Sequence, residues 1–235
     1  MNESIYLHPI QRKTSAREWI IVTVILIVLA AIIGTIFLKQ QQDALLVAGS
    51  RNLQQWGIAL NLYLIDNDNQ LPEVGSVPIT PEQSKAWYNS MPPYISRTPL
   101  ADLPPGERPR PGVPSLWIDP ASKPVRVWDA SQFYFEYGMN QALQPDPNAR
   151  SFRIYEIDSP GNVVMLAPIS DYSPEATPDR VVFRYGAKPA SPKAAAFVLF
   201  CDGHVEKVTR ARLVDDPAAR EARSAAEGRL SWFEK

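Results

Sequence analysis

The sequence predicts an α+β fold in which one long N-terminal helix is followed by a small antiparallel β-sheet with long proline-rich loops. Residues 19–38 form an uncharged apolar run, and no proline occurs from there to residue 66. Short aromatic and aliphatic runs, separated by turn residues, begin after residue 132. Because the helix and strand signals occupy separate parts of the chain, we expect a helix packed on a sheet.

Composition sets the first limits on function. The chain has 235 residues, a net charge of −1, 23 prolines and a single cysteine, Cys201. Beyond one apolar run, this length leaves one soluble domain that is large enough to bury a core. A lone cysteine excludes an intrachain disulfide, so the fold has to rest on packing. The near-neutral charge gives no indication of a nucleic acid partner.

Residues 19–38 have the length and composition of a membrane-spanning helix. Twenty helical residues rise about 30 Å, which matches the hydrocarbon thickness of a bilayer. A buried core helix is disfavoured because no face of the run is polar. A cleaved secretory signal is disfavoured because no small-residue cleavage site follows the run.

Flanking charges predict the orientation of this span. Arg12, Lys13 and Arg17 precede it, whereas Lys39 and Asp43 cancel each other after it. Since positive flanks stay in the cytoplasm, we expect a cytoplasmic N-terminus and a periplasmic C-terminal domain, anchored in a bacterial inner membrane by a single pass.

The helix is predicted to continue to about residue 65. Two apolar rows with spacings of three and four residues are interpreted as one broad apolar face. The first row is Leu46, Gly49, Leu53, Trp56, Leu60 and Tyr63, and the second is Ile58, Leu62 and Ile65. Residues 66–69, Asp-Asn-Asp-Asn, favour a turn that ends the helix.

Residues 71–135 read as loop with short elements, including a helical turn within residues 85–91. The proline-rich stretch 98–124 is expected to be a polyproline-like excursion on the surface, anchored by Leu116, Trp117 and Ile118. A disordered linker is the alternative for this stretch.

Strands are predicted from short apolar and aromatic runs. They are expected within residues 133–137, 151–157, 162–167 and 181–185, and in a hairpin over residues 194–209. The hairpin is the clearest of them, because Asp202-Gly203 is the strongest two-residue signal for a type I′ turn. A helical tail is expected near the C-terminus.

Five segments follow one another along the chain: residues 52–60 (NLQQWGIAL), 63–69 (YLIDNDN), 137–140 (YGMN), 159–162 (SPGN) and 200–205 (FCDGHV). In this order they resemble segments of the type IV pilins and type II secretion pseudopilins. More specifically, they are similar to the prepilin-like proteins of planctomycete and verrucomicrobial type. The resemblance implies a long N-terminal helix on a small sheet domain, as the pattern of the chain also predicts.

The resemblance assigns a processing and assembly motif to Lys13, Thr14 and Glu18. Lys13 stands where the family has the glycine before the peptidase cleavage site, and Glu18 stands at the family's glutamate. That glutamate is implied to attract the terminal amine of a neighbouring subunit. Without cleavage, Glu18 instead caps the helix opposite Ser15 or pairs with Arg17.

Two further positions depart from the family. Asp119-Pro120 stands where the family has Cys-Pro, and Arg184-Tyr185 occupies the place of an Arg-His pair. The sequence by itself assigns no chemistry to either position.

Other candidate sites have simpler interpretations. Asp202, Gly203 and His204 are interpreted as a structural hairpin turn, and Cys201 as a small buried side chain. Asp66 and Asp68 begin a calcium-like spacing, but Leu71 stands where the loop requires glycine. A carbohydrate or peptide groove built from Trp87, Trp117 and Trp128 is an open alternative, although nothing in their spacing requires it. We therefore expect no catalytic site, cofactor or metal.

The sequence thus predicts a non-catalytic pseudopilin-like subunit of a type II secretion or type IV pilus-like assembly. Its expected partners are the inner membrane and other pilin-like subunits, which it would contact through the N-terminal helix. The alternative is a membrane-anchored periplasmic binding module that does not polymerise. The expected organisation is a leader (1–14), a long helix (15–66), a periplasmic α+β domain (67–209) and a helical tail (210–235).

Overall fold

The structure, a computed structural model, describes residues 16–124, 129, 131–144, 146 and 148–215. The leader 1–14, with Lys13 and Thr14, lies outside the described residues, as do Trp128, residues 216–235 of the predicted tail and the side chain of Glu18. The chain divides into two compact units, Met1–Ala44 and Leu45–Lys235. They are called the span unit and the sheet unit below.

The protein has the α+β layout that the sequence predicts. Two α-helices are described, α1 (Ala16–Asp66) and α2 (Trp87–Ser90), and they precede the strands. The strands are β1 (Tyr137–Asn140), β2 (Val164–Pro168), β3 (Glu175–Ala176), β4 (Ala195–Phe200) and β5 (Val205–Thr209). Short 3-10 helices lie at Pro92–Ile95, Leu100–Asp102, Gln141–Leu143, Ile154–Glu156, Pro160–Asn162 and Pro178–Arg180, and a π-helical turn lies at Ala211–Asp215.

The sheet is mixed, and not purely antiparallel as predicted. Its strand order is β3-β1-β2-β4-β5. The pairs β1–β2, β2–β4 and β4–β5 are antiparallel. The two-residue strand β3 pairs with β1 in parallel, with Met139 opposite Glu175. After β2 the chain reverses through residues 169–174 and pairs beside β1 instead of β2. Because β2 runs opposite to β1, the reversed strand β3 runs parallel to β1.

Three of the predicted strands differ from the prediction. Residues 133–136 precede β1, which begins only at Tyr137. Residues 151–157 contain the 3-10 helix Ile154–Glu156, in which Glu156 bonds back to the backbone N–H of Arg153 at 2.7 Å. This local bond competes with strand pairing, because it satisfies the backbone within the segment itself. Residues 181–185 contribute a single bridge, between Tyr185 and Ala195.

Hydrophobic clusters lie on both faces of the sheet. Successive strand side chains point to opposite faces. One face packs against the outer part of α1 and the aromatic loop residues, and Leu166 and Leu199 are buried there. The other face is covered by residues 169–183 and 211–213, and Val198 and Phe200 are buried there. The sheet is thus the middle layer of the sheet unit.

Candidate functional site

The apolar run of α1 is exposed along its length. Within the described residues, α1 is the one helix that is long and apolar enough to cross a membrane, on length and composition. Thr23 and Thr35, its polar side chains besides Trp19, donate hydrogen bonds to the backbone oxygens of Trp19 and Ile32. The run therefore presents an apolar surface on all sides, which is compatible with single-pass membrane anchoring.

The outer part of α1 has two different faces, and this corrects the prediction of one broad apolar face. Leu53, Trp56 and Leu60 of the first row are completely buried in the sheet unit. In the second row, the exposed fraction is 55% for Ile58 and 75% for Ile65. At about 100° per residue, Ile58 lies roughly 200° around the helix from Trp56, so one sheet cannot cover both rows.

The exposed face of α1 is defined here as Val47, Ile58, Leu62 and Ile65. Arg51 and Gln54 lie between Val47 and Ile58 on the same side and are also exposed. The face is therefore apolar at its outer end and mixed further in. Such a row of large exposed aliphatic side chains is typical of a helix surface that meets another protein.

The tryptophan groove was an open alternative, and of its three residues Trp87 and Trp117 are buried, whereas Trp128 lies outside the described residues. Trp87 and Trp117 pack edge-on against Trp56 in a buried aromatic cluster, with ring centroids 5.4 and 4.9 Å from the Trp56 ring. The indole N–H of Trp56 donates to the Leu116 oxygen at 3.2 Å, and that of Trp87 to the Pro174 oxygen at 2.9 Å. The cluster packs the outer part of α1 and the proline-rich stretch against the rest of the sheet unit.

The proline-rich stretch is anchored as predicted. Leu116, Trp117 and Ile118 are buried. The side-chain amide of Asn52 on α1 donates to the backbone oxygens of Ser115 and Ile118, at 2.8 and 3.0 Å. The Asn52 side chain thus holds the backbone of the proline-rich stretch against α1.

The hairpin between β4 and β5 forms, but its turn differs from the predicted type I′. Phe200 N–H bonds to the His204 oxygen, and Gly203 N–H bonds to the Phe200 oxygen, both at 2.9 Å, so the loop has three residues. Only Gly203 in this loop has a positive φ, of 88°. A type I turn followed by a left-handed glycine has this pattern. Asp202 stabilises it by accepting the backbone N–H of His204 at 3.0 Å.

His204 is held on the surface of this turn. Its Nδ1 lies 2.6 Å from Asp202 Oδ1, and its ring stacks on Phe200 with centroids 4.3 Å apart. In the described part of the chain, no serine or cysteine hydroxyl or thiol hydrogen-bonds to this imidazole. Burial raises the pKa of the Cys201 thiol, which keeps it protonated and unreactive. The geometry fits the predicted structural role.

A buried ionic cluster was not predicted from the sequence. It consists of Asp119, Glu136, Arg184 and Tyr185, and it joins the proline-rich stretch to the sheet. Arg184 Nη1 lies 3.2 Å from Asp119 Oδ2, and its Nη2 lies 3.6 Å from Glu136 Oε1. The Tyr185 hydroxyl donates to Asp119 Oδ1 at 2.5 Å. Asp119 and Tyr185, to which the sequence assigned no chemistry, thus contact each other.

The pKa values in this cluster follow from burial. Desolvation raises the pKa of Glu136, and the positive charge of Arg184 and a hydrogen bond from the Ser122 hydroxyl oppose this effect. Burial also raises the pKa of Tyr185, whose hydroxyl lies beside the Asp119 carboxylate. Arg184 faces both carboxylates, and each carboxylate accepts a further hydrogen bond. Such a paired network fixes the position of the proline-rich stretch.

A cleft of about 430 Å³ opens beside the anchored loop. Its walls come from residues 96–98 on one side and from the proline-rich stretch on the other. The lining residues are Ser96, Arg97, Thr98, Leu103, Glu107, Pro109, Pro114, Ser115, Leu116 and Trp117. Sequence reasoning named only Trp117 of this set as a candidate ligand contact, because the walls are joined by tertiary contacts and carry no spacing motif.

The calcium-like spacing at Asp66 and Asp68 forms the end of a helix. Asp68 and Asn69 have positive φ angles of 51° and 60°, and the Asn69 N–H bonds to the Leu64 oxygen at 2.9 Å. Left-handed residues of this kind end helices by bonding the last carbonyls. Among the described residues, no group of three or more His, Cys, Asp or Glu side chains could hold a metal ion.

Comparison of the chain with family models, curated proteins and solved structures gives no match.

Proposed function

We propose that the protein is a membrane-anchored, pseudopilin-like structural subunit of a type II secretion or type IV pilus-like assembly. The supporting observation is the arrangement of α1. Its apolar run is suited to a bilayer, and its outer part buries one row of side chains and exposes the opposite row. Such a helix can pack on its own sheet unit through one face and on a neighbouring subunit through the opposite face.

In this proposal the span lies in the bacterial inner membrane, with the N-terminus in the cytoplasm and the sheet unit in the periplasm. The flanking charges Arg12, Lys13 and Arg17 support this orientation. The exposed face of α1 contacts the corresponding helix surface of the next subunit. The protein carries no catalytic site, and the other subunits and the bilayer are its partners.

Site-specific crosslinking in membranes tests the assembly. Cys201 is buried, so a cysteine introduced on the surface is the reactive one. We expect Ile58→Cys and Ile65→Cys to give crosslinked dimers and larger species with a short bismaleimide. Val113→Cys, half-exposed in the proline-rich stretch, is the matched control and should remain monomeric. Monomers for all three variants, together with a monomer on blue-native electrophoresis, would contradict the proposal.

The intact mass of the membrane form tests processing separately. Cleavage before Thr14 and addition of one methyl group would establish prepilin-type maturation. A full-length N-terminus would exclude this maturation and leave the membrane anchor unaffected.

The cleft beside Trp117 favours a second candidate, a membrane-anchored binding module that does not polymerise. The two candidates differ in the crosslinking result, because only the assembly requires the exposed face of α1 to contact another copy.

A further inference from the structure

We propose that the cleft between residues 96–98 and the proline-rich stretch is a binding site for an oligosaccharide. The proposal goes beyond the assembly role, because it rests on the cleft and not on α1. The volume of about 430 Å³ lies in the range of small-ligand sites, roughly 300–1,000 Å³.

The cleft concentrates hydrogen-bonding groups that the protein itself does not use. The Ser115 hydroxyl is one of two buried side-chain polar atoms without a partner among the described residues. Within the same part of the chain, the side chains of Arg97 and Glu107 form no ion pair or hydrogen bond. The indole N–H of Trp117 likewise has no acceptor there, unlike those of Trp56 and Trp87.

Among the described residues, the other buried polar atom without a partner is Arg153 Nε, and the buried polar groups beside the cleft are paired. Asp119 and Glu136 each accept several hydrogen bonds, and Asn52 donates two. An unpaired buried hydroxyl is unfavourable, and native structures contain few of them. The Ser115 hydroxyl has almost no exposed surface, so a ligand in the cleft bonds to it only after the Ser115 side chain rotates towards the cleft.

The chemistry of the lining favours a sugar. Arg97 and the Trp117 indole donate, Glu107 accepts, and the hydroxyls of Ser96 and Ser115 do both. Sugar hydroxyls also donate and accept, so they can pair with all of these groups. The apolar lining from Leu103, Leu116 and the two prolines suits the C–H faces of sugar rings.

Other ligand classes fit less well. A polyanion would meet the carboxylate of Glu107 beside the single charge of Arg97. An extended peptide binds most readily along an open strand edge, and the residues that line the cleft lie in turns and irregular loops. A neutral, hydroxyl-rich ligand matches both the charge balance and the geometry.

A glycan array with the full-length protein in lipid nanodiscs tests this proposal. Nanodiscs replace maltoside micelles, because maltoside head groups are sugars and would compete. The array carries α- and β-linked glucans, mannans, and chitin-type and peptidoglycan-type oligosaccharides, beside an array of proline-rich and mixed peptides. We expect saturable binding to at least one glycan, with affinity measured afterwards by titration calorimetry.

Variants assign the binding to the cleft. Arg97→Ala and Glu107→Gln should each weaken glycan binding by at least about tenfold, since a charge-assisted hydrogen bond is lost. Lys188→Ala, which removes another exposed positive charge outside the cleft, should bind as the wild type does. Because Arg97 and Glu107 are exposed, their replacement should leave the thermal unfolding of the sheet unit unchanged.

Ser115→Ala separates a binding role from a structural role. The unpaired hydroxyl contributes no hydrogen bond to the fold, so the variant should unfold at the same temperature or a higher one, and it should bind glycan more weakly. Failure of every glycan to bind, binding that is indifferent to the cleft variants, or retention of peptides alone would each overturn the proposal. Crosslinking of the exposed face of α1 is independent of all three results.

Discussion

The carboxyl groups of Glu136 and Glu156 lie in opposite environments, and this gives them opposite effects on stability. Burial raises the pKa of Glu136 above its ordinary value of about 4.5. Hydrogen bonds from Arg150 and from the Arg153 backbone lower the pKa of Glu156 to about 2. Folding therefore favours the protonated form of Glu136 and the ionised form of Glu156.

A pH titration of the unfolding free energy should show both effects. The contribution of Glu136 is fully present below about pH 4.5 and is lost as the pH rises through its raised pKa. The contribution of Glu156 is present above about pH 4.5 and is lost as the pH falls towards about 2. We expect Glu136→Gln to reduce the loss of stability on the alkaline side and Glu156→Gln to reduce it on the acid side. Urea unfolding followed by near-ultraviolet circular dichroism measures the unfolding free energy at each pH. If both variants changed the slope of this free energy against pH in the same direction, the prediction would be contradicted.

Individual residues of the buried ionic cluster could not be identified from the sequence. Asp119 and Arg184 are 65 positions apart, and no local pattern indicates that they pair. By contrast, the burial of Cys201 was predicted correctly, because a cysteine next to Phe200 in a strand pattern is ordinarily a core residue.

At the scale of elements, the contact between α1 and the hairpin turn depends on two glycines. A Cβ atom at Gly57 would lie 2.5 Å from the Gly203 backbone oxygen. Gly203 itself faces Asn61 of α1, and its φ of 88° suits glycine. The hairpin can approach the helix closely only because neither position carries a side chain.

Gly57→Ala should therefore destabilise the sheet unit. Alanine favours helix by up to about 1 kcal/mol, but the clash with backbone has to be relieved by moving the hairpin, which costs typically about 1–3 kcal/mol. Gly34→Ala is the matched control in the same helix, because a Cβ atom at that position would have no neighbouring atom within 4 Å. We expect a lower urea midpoint for Gly57→Ala only. Equal midpoints for the two variants would show that the hairpin does not depend on this close approach.

The elements themselves were predicted unevenly, for a physical reason. Helix α1 and the β4–β5 hairpin depend on local periodicity and turn residues, and both occur within about one residue of the predicted positions. The strands predicted at 151–157 and 181–185 are absent from the sheet. The aromatic and aliphatic residues of both segments match a strand pattern. Residues 151–157 are held instead by the hydrogen bond between Glu156 and the Arg153 backbone, and residues 181–185 pair with β4 at Tyr185 alone among the described residues.

At the scale of the whole molecule, membrane attachment depends on residues 19–38. Their fourteen Ile, Leu, Val and Phe residues each favour insertion by roughly 0.3–0.6 kcal/mol at the centre of a span, or roughly 4–8 kcal/mol together. An arginine at the centre opposes insertion by roughly 2.5–3.5 kcal/mol. One arginine therefore leaves insertion favourable, whereas two arginines, at roughly 5–7 kcal/mol, cancel most or all of the gain.

Extraction with alkaline carbonate measures this. We expect the wild type and Leu26→Arg to stay in the membrane pellet, and Leu26→Arg with Ile33→Arg to be released in large part. Val113→Arg with Ile65→Arg adds the same charge outside the span and should stay in the pellet. Retention of the double span variant would show that attachment depends on another part of the protein.

The sequence by itself determined the apolar span, the extent of α1, the closing hairpin and the α+β class. Each of these is a property of neighbouring residues, so composition and periodicity are sufficient to predict it. Only the tertiary structure decided which row of α1 is buried, that β3 pairs in parallel, that Asp119 meets Arg184, and that a polar cleft opens beside Trp117. These features depend on contacts between residues far apart in the chain, and such contacts form where packing and the pairing of buried polar groups are satisfied together.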